Sequence, residues 1–458
     1  MKYGLWLPAS IMLIAIMSLS LVFSSTNFVT IGNLGQISIN EITAASGSAA
    51  DIQAAVNQVA ARTGRGKVHI PPGNFNWVNV GESWRTVSVP AGIDVIGGVV
   101  SGTDSYGLGV PTTWSTVIQV PQSFNTGWNK LNFFDIGDGS QDPTKPVRIA
   151  NLKFVGYRTF NPSSKDMYIA IMVYGVINYR VDHCCFENLA GGVLGIFPYY
   201  NQNMYCCGVF DHNWAYNTHG WADLGSYVAG NIDNAIELHR SYYALDGTTT
   251  SPFPFDPTMN VLGQYTKYTC FIENNIFSRW YHSVSSGHGA HYVFRYNVDD
   301  QSDGTMQIDL HGVRDDRPSG AGGRCMEVYE NRFIDRRYTN DAGNPTDGFL
   351  MQSGGGCGAW FNNYIDNTYQ WISLYAEDYI GSETWHIRDM YLWSALGPGG
   401  SNVQVTYPTG TIDPSRNVAV NWARQAGNAT DLNYPNTNPS WSIAGYKPYT
   451  YPHPLAME

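Results

Sequence analysis

Three short segments end in a histidine within a strand-like setting: I-E-L-H at 236–239, S-S-G-H at 285–288 and I-D-L-H at 308–311. Side chains alternate along a strand, so Glu237 shares a face with His239, and Asp309 with His311. Stacked as equivalent strands of successive coils, the three segments would set His239, His288 and His311 in one outward column, about 4.8 Å per step. An imidazole oriented by a carboxylate is a general base near neutral pH. Arginines stand nearby in the sequence at Arg295, Arg314 and Arg317, and a guanidinium can grip a carboxylate through two parallel hydrogen bonds. Base and cation together are the equipment for β-elimination. The cation neutralises the carboxylate of an acidic sugar, the C5 proton becomes acidic, and the base removes it. The expected catalytic set is His288, His311, Asp309, Arg295 and Arg314, with Glu237, His239, His291 and Arg317 binding substrate.

Other chemistries compete for the same residues. A glycoside hydrolase needs two carboxylates about 5 to 9.5 Å apart, and Asp182 with Asp211, Glu237 with Asp309, or Asp299 with Asp300 are the available pairs. Three stacked imidazoles point in parallel instead of converging, so no metal ligand is assigned among them. Calcium is the one cofactor left open, because Asp299, Asp300, Asp303, Asp315 and Asp316 cluster in sequence. A third class is a non-catalytic glycan-binding or structural surface protein, for which Tyr 30 and Trp 14 supply aromatic surface.

The elements that must position these residues are repeated. F-I-E-N-N-I-F at 271–277, V-F-R-Y-N-V-D at 293–299 and E-V-Y-E-N-R-F at 327–333 each run a few alternating residues into an Asn, and W-F-N-N-Y-I follows around Asn363. A period of roughly 20 to 35 residues with strand alternation is a solenoid signature, each unit burying its apolar face against its neighbours. Asn213, Asn275, Asn297, Asn331 and Asn363 then form an inward hydrogen-bonded ladder with no catalytic role. Two residues earlier, Asp182, Asp211, Glu273, Arg295, Tyr329 and Phe361 point outward, and most of that column is expected to be solvated. Two insertions, 241–265 and 313–323, break the rhythm directly after I-E-L-H-R and I-D-L-H-G, where loops would wall a site.

At the start, Lys2 precedes a charge-free apolar run from Tyr3 to Phe23, then Ser24, Ser25 and Thr26. Residues 1–25 therefore read as a secretory signal peptide, or as an N-terminal anchor, since about 20 apolar residues also span a bilayer. Secretion or cell-surface display is the expectation, with a membrane partner only if the segment is retained. A polar linker at 26–47 leads to Ser48 and Asp51, a capping box opening a helix with Ile52, Ala55, Val56 and Val59 on one stripe and Gly64 and Gly66 at its end. A net charge of −11 argues against nucleic acid as a partner. Vicinal Cys184–Cys185 and Cys206–Cys207 lie about one coil apart, so cross-coil bridges are possible; alternatively Cys184, Cys270, Cys325 and Cys357 are small buried fillers. Residues 396–458 read as a C-terminal cap, with Trp441, Tyr446, Tyr449 and Tyr451 packed along the last coils.

D-I-Q-A-A-V, V-H-I-P-P-G-N-F and V-P-A-G-I-D-V-I-G resemble the opening of right-handed parallel β-helix proteins of the pectate-lyase-like superfamily. S-G-H-G-A-H-Y-V-F-R-Y-N, I-D-L-H-G and the ending Y-K-P-Y-T-Y-P-H-P-L are similar to a secreted group within it. The resemblance covers residues 48–395 and the last dozen. It implies an all-β fold, a right-handed parallel β-helix (solenoid) with an N-terminal capping helix, and a polysaccharide partner; calcium serves many pectate lyases. G-H-G at 287–289 is similar to a polygalacturonase motif, but that family places N-x-D and D-D before it and R-x-K after it. Here Asp299-Asp300 come after and R-x-K is missing, so a lyase acting on a uronate-containing polysaccharide ranks above a hydrolase. Oligomeric state is not readable from the chain.

Overall fold

The computed structural model describes residues 28–30, 36–38, 40–77, 86–119, 131–140, 142–156, 168–189, 192–196, 204–218, 234–239, 242–243, 269–280, 282–287, 290–300, 306–312, 323, 325–334, 349–365, 371–374, 390–392, 404–406, 418–420 and 448–457. Two compact units divide at Glu41. In the first, Phe28–Thr30 pairs antiparallel with Gln36–Ser38, a short ladder inside the stretch read as linker. The signal or anchor segment lies outside the described residues. No described helix is long and apolar enough to cross a membrane.

Near the start of the second unit, after the short strand Glu41–Thr43, lies the expected helix Ala49–Thr63. Ser48 Oγ accepts the Asp51 N–H at 3.2 Å. Gly64, with φ 65°, closes the helix by donating its N–H to Ala60 O at 3.1 Å. Ile52, Ala55, Val56 and Val59 are buried over the first coil. An apolar stripe laid over the open end of a solenoid hides strand edges that would otherwise recruit another chain.

Beyond the helix, three sheets wind up a right-handed parallel β-helix. Among the described residues, sheet A has ten strands and includes Gly192–Ile196, Asn234–His239, His282–Gly287, Met306–Leu310 and Phe349–Ser353. Sheet B has twelve described strands, among them Ile177–Asp182, Cys207–Asp211, Cys270–Glu273, His291–Arg295, Cys325–Tyr329 and Cys357–Phe361. Sheet C has nine described strands, including Cys185–Glu187, Trp214–Tyr216, Ile276–Ser278, Val298–Asp300 and Arg332–Ile334. Each coil visits B, C and A in turn. Gln404–Thr406 and Val418–Val420 extend sheets A and B past residue 395.

From Asn151 to Asn363 the described passages from sheet B to sheet C share one form. One residue takes positive φ, and the next, usually Asn, points inward. The positive-φ residues are Asn151, His183, His212, Asn274, Tyr296, Glu330 and Asn362. Inside, Asn275 Nδ2 donates to Phe210 O at 2.8 Å in the previous coil and to Asn297 Oδ1 at 3.0 Å in the next. Asn297 repeats this with Ile272 O and Asn331 Oδ1, and Asn331 with Phe294 O and Asn363 Oδ1. Cys184 takes the corresponding position, its N–H donating to Asn213 Oδ1. Replacing Asn297 by alanine would strand the Asn275 N–H and Ile272 O, both buried. At about 1–3 kcal/mol per orphaned group, a loss of about 3 kcal/mol is expected, visible as a lower urea midpoint at unchanged slope.

In sheet C the inward column runs Phe154, Phe186, Ala215, Phe277, Asp299 and Phe333. Asp299 is thus a core residue, bonded to Ser283 Oγ at 2.7 Å. Its neighbour Asp300 faces outward onto Tyr106 Oη. Adjacent strand residues point to opposite faces, so these two aspartates are neither a hydrolase pair nor one calcium cradle. The remaining carboxylates of that expected cluster, Asp303, Asp315 and Asp316, lie outside the described residues. Among the described residues no group of three or more His, Cys, Asp or Glu is placed to hold a metal.

Cysteine usage also differs from expectation. Cys325 and Cys357, in register on neighbouring strands of sheet B, form a disulfide. Cys184, Cys185, Cys206, Cys207 and Cys270 are free and buried, and burial pushes Cys206 and Cys207 up to about 12.

Candidate functional site

Sheet A carries the expected dyad. Asp309 and His311 lie on one face, and His311 Nε2 meets Asp309 Oδ2 at 2.7 Å. Asp309 is buried and His311 partly exposed, at 1% and 27% of their side chains. Packing holds the dyad from behind: Ser286 Oγ donates to Asp309 O at 2.6 Å, Ser285 Oγ to Asp309 Oδ2 at 3.5 Å, and the His311 N–H to Ser286 O at 2.8 Å. With Nε2 donating its proton to Asp309, the second ring nitrogen of His311, Nδ1, is the one left with a lone pair. That is the arrangement of a general base whose protonated form a neighbouring anion stabilises.

The strand register corrects the predicted column. Gly195, Glu237, Ser285, Asp309 and Gln352 form one row. In the next row His239 pairs with Gly287, and the His311 N–H bond to Ser286 O continues that row through Gly287 to His311. His288, the residue expected in that row, lies outside the described residues, and Gly287 holds the row position. Gly287 leaves a gap between the two histidine positions: a Cβ built there would meet only His311 Cβ, at 3.6 Å. The side chains of Glu237 and His239 are outside the described residues, as are Arg314 and Arg317.

Arg295 and His291 belong elsewhere. Both are in the sheet B strand His291–Arg295, and both are buried. Arg295 Nε donates to Glu273 Oε2 at 2.8 Å, Nη1 to Tyr329 Oη at 3.0 Å and to Tyr449 O at 2.8 Å, and Nη2 to Thr450 O at 2.9 Å. A guanidinium engaged in this way has nothing left for a substrate carboxylate. It pins the C-terminal segment to the coil, and the outward column expected to be solvated is covered by that segment.

The C-terminal residues 448–457 therefore pack on the middle coils and not the last ones. Tyr449 meets Phe271 edge-on at 5.1 Å, Tyr451 stacks on Tyr296 at 3.7 Å, and the His453 N–H reaches Glu273 Oε1 at 2.8 Å. Trp441 and Tyr446 are outside the described residues. Further along the column, Asp182 and Asp211 are each gripped by arginine: Arg148 holds Asp182 with two bonds of 2.6 Å, and Arg180 holds Asp211 at 3.1 and 3.0 Å. Burial raises the Asp182 carboxyl, but Arg148 and His183 outweigh it and hold the group at about 2. Two carboxylates neutralised by structural arginines are not a hydrolase pair.

Burial, with Arg295 nearby, pushes His453 down to about 4. The folded state thus keeps His453 neutral while the unfolded chain, at 6.5, takes up a proton. Stability is complete above pH 6.5 and falls as pH drops toward 4. Hydrogen-exchange protection of 448–457 is expected to weaken across that window, and His453→Gln to flatten the dependence.

One feature was not read from the residue pattern. Val100–Ser101 pairs antiparallel with Thr113–Trp114, and the intervening loop is tied by Asp104, which accepts the N–H groups of Tyr106, Leu108 and Val110. Between this loop, the C-terminal segment and the sheet B to C turns lies a cavity of about 460 Å³. Only the D-x-Y-G-L-G turn chemistry hinted at an ordered loop.

No protein-family model matches the chain, and no curated protein matches it. Among solved structures it is similar to a mutant tailspike protein of E. coli bacteriophage HK620 in complex with a pentasaccharide, at 13% identity over 78% of this chain and TM-score 0.44; this chain spans 55% of the tailspike. It is similar to a mannuronic acid-specific polysaccharide family 6 lyase from human gut microbiota (14% identity, 84% of this chain, 83% of that one, TM-score 0.39) and to DFA-IIIase from Arthrobacter chlorophenolicus A6 (10%, 81%, 87%, 0.40). The chain is a right-handed parallel β-helix protein, and its own three parallel sheets define that class.

Proposed function

We propose that the outer face of sheet A around Asp309 and His311 is the active site of a polysaccharide lyase, on a protein exported to act on an extracellular, uronate-containing chain. The observation that carries this reading is the 2.7 Å contact between a buried carboxylate and a partly exposed imidazole. His311 Nδ1 removes the C5 proton. The C5–H electrons form the C4=C5 double bond, the C4–O bond breaks, and the departing oxygen takes a proton from the medium. Asp309 holds the ring and stabilises the imidazolium. Arg314 and Arg317, which follow His311 in the sequence, are the proposed partners of the uronate carboxylate; no step is assigned to calcium.

A hydrolase is the second reading, favoured by one fact. Glu237 and Asp309 occupy one row two strand steps apart, about 9.6 Å at 4.8 Å per step, close to the upper end of inverting carboxylate spacings. It ranks lower because Asp309 is already engaged by His311. The test is incubation with acidic and neutral polysaccharides. Ultraviolet absorbance from an unsaturated product establishes elimination, new reducing ends without it establish hydrolysis, and neither, with glycan retained, leaves a binding protein.

A further inference from the structure

The cavity of about 460 Å³ lies on a different face from the Asp309–His311 dyad, over the turns that join sheets B and C. His212, Asn274, Tyr296 and Glu330 line it, each from the positive-φ position of one coil. The turn conformation recurs along the stack, so it sets these four side chains in one row facing the cavity.

The side chains present opposite hydrogen-bonding characters around one half-open cavity. Asn362 Nδ2 donates to Glu330 Oε1 at 3.0 Å, which leaves acceptor capacity on the carboxylate. Arg332 lines the same cavity, its guanidinium 5.8 Å from the Tyr106 ring. His212 Nδ1 is taken by Asp211 at 2.7 Å, which leaves its Nε2 as the remaining polar atom. Tyr296 and Tyr451, stacked at 3.7 Å, form an aromatic wall, and Tyr451 Oη is fixed on Asn274 Oδ1 at 2.7 Å. The roof is held open from both sides: Asp104 and the Tyr106–Asp300 bond fix the loop, and Arg180 fixes the C-terminal segment through Ala456 O at 3.2 Å.

We propose that this cavity is a second saccharide-binding site, taking a neutral pyranose unit. A hydroxyl donates and accepts, so one sugar ring satisfies Glu330 and Arg332 together while its apolar C–H face packs on the tyrosines. An anionic sugar is disfavoured by Glu330, and a ligand without hydroxyls leaves the charged groups unpaired. The cavity volume lies within the range of small-molecule sites. The assignment does not depend on elimination at His311.

The test is titration calorimetry of the full-length protein with neutral gluco-, manno- and galacto-configured tetrasaccharides, with oligouronates as anionic probes. At least one neutral tetrasaccharide is expected to bind, Glu330→Gln and Arg332→Ala to weaken it by about tenfold or more, and His311→Ala to leave it unchanged. Hydrogen exchange on the unaltered protein gives a readout free of any folding defect: the same sugar should protect 104–110 and 451–456. No binding by any neutral tetrasaccharide, binding indifferent to both substitutions, protection absent from those segments, or oligouronate affinity that vanishes with Glu330→Gln would each overturn the site.

Discussion

Alanine at His311 is expected to lower the rate of the proposed elimination by about 10²- to 10⁴-fold, the usual contribution of a positioned general base. Folding should survive, because the His311 side chain is partly exposed and its backbone bond to Ser286 O does not involve the ring. Thermal melts and urea midpoints of wild type and variant should therefore coincide. Asp309→Asn is the companion: it removes the charge that stabilises the imidazolium and frees the ring tautomer, so the rate should fall while substrate binding holds. A His311→Ala protein that keeps its rate would remove the dyad from the mechanism.

The second large effect is one of stability, at Arg295. Removing one partner of a buried ion pair leaves the other charge uncompensated and costs about 3–5 kcal/mol. Arg295→Met leaves Glu273 in that position, both residues having 0% side-chain exposure, and also removes the donors to Tyr449 O and Thr450 O. A loss of about 4 kcal/mol is expected in urea unfolding, with the C-terminal segment becoming protease-sensitive before the coils. The double variant Glu273→Gln/Arg295→Met should recover much of that loss, because no unpaired charge remains. If Arg295→Met unfolds like wild type, the lock is not structural, and a role in binding regains force.

Local pattern made the fold legible. The Asn ladder was readable because a single inward turn position demands a side chain that bonds both up and down the stack; Asn213, Asn275, Asn297 and Asn331 meet that demand, and Asn363 accepts from Asn331 at the end of the run. The capping helix was readable because Ser48, Asp51 and Gly64 write their roles in residue type. Asp309 with His311 was legible for the same reason: strand alternation is a local rule, and it places i and i+2 on one face.

What stayed hidden depends on register and on distant partners. Alternation fixes a face but not which residue of the next coil stands alongside, so His288 was aligned where Gly287 belongs. Arg295 shows outward direction without showing what covers it; the cover comes from residues about 155 positions later. Asp299 was grouped with Asp300 as a carboxylate pair because the two are adjacent in sequence, whereas its place in a phenylalanine column appears only once strands are paired. The disulfide chose Cys325 and Cys357 because those two are opposite each other in the ladder. By itself the sequence determined the coil, its cap, its inward ladder and the Asp309–His311 dyad, all set by neighbours within a few residues. Only tertiary structure decided which charges are solvated and which are locked, and where two loops distant in sequence enclose a cavity, because burial and register are properties of the packed stack.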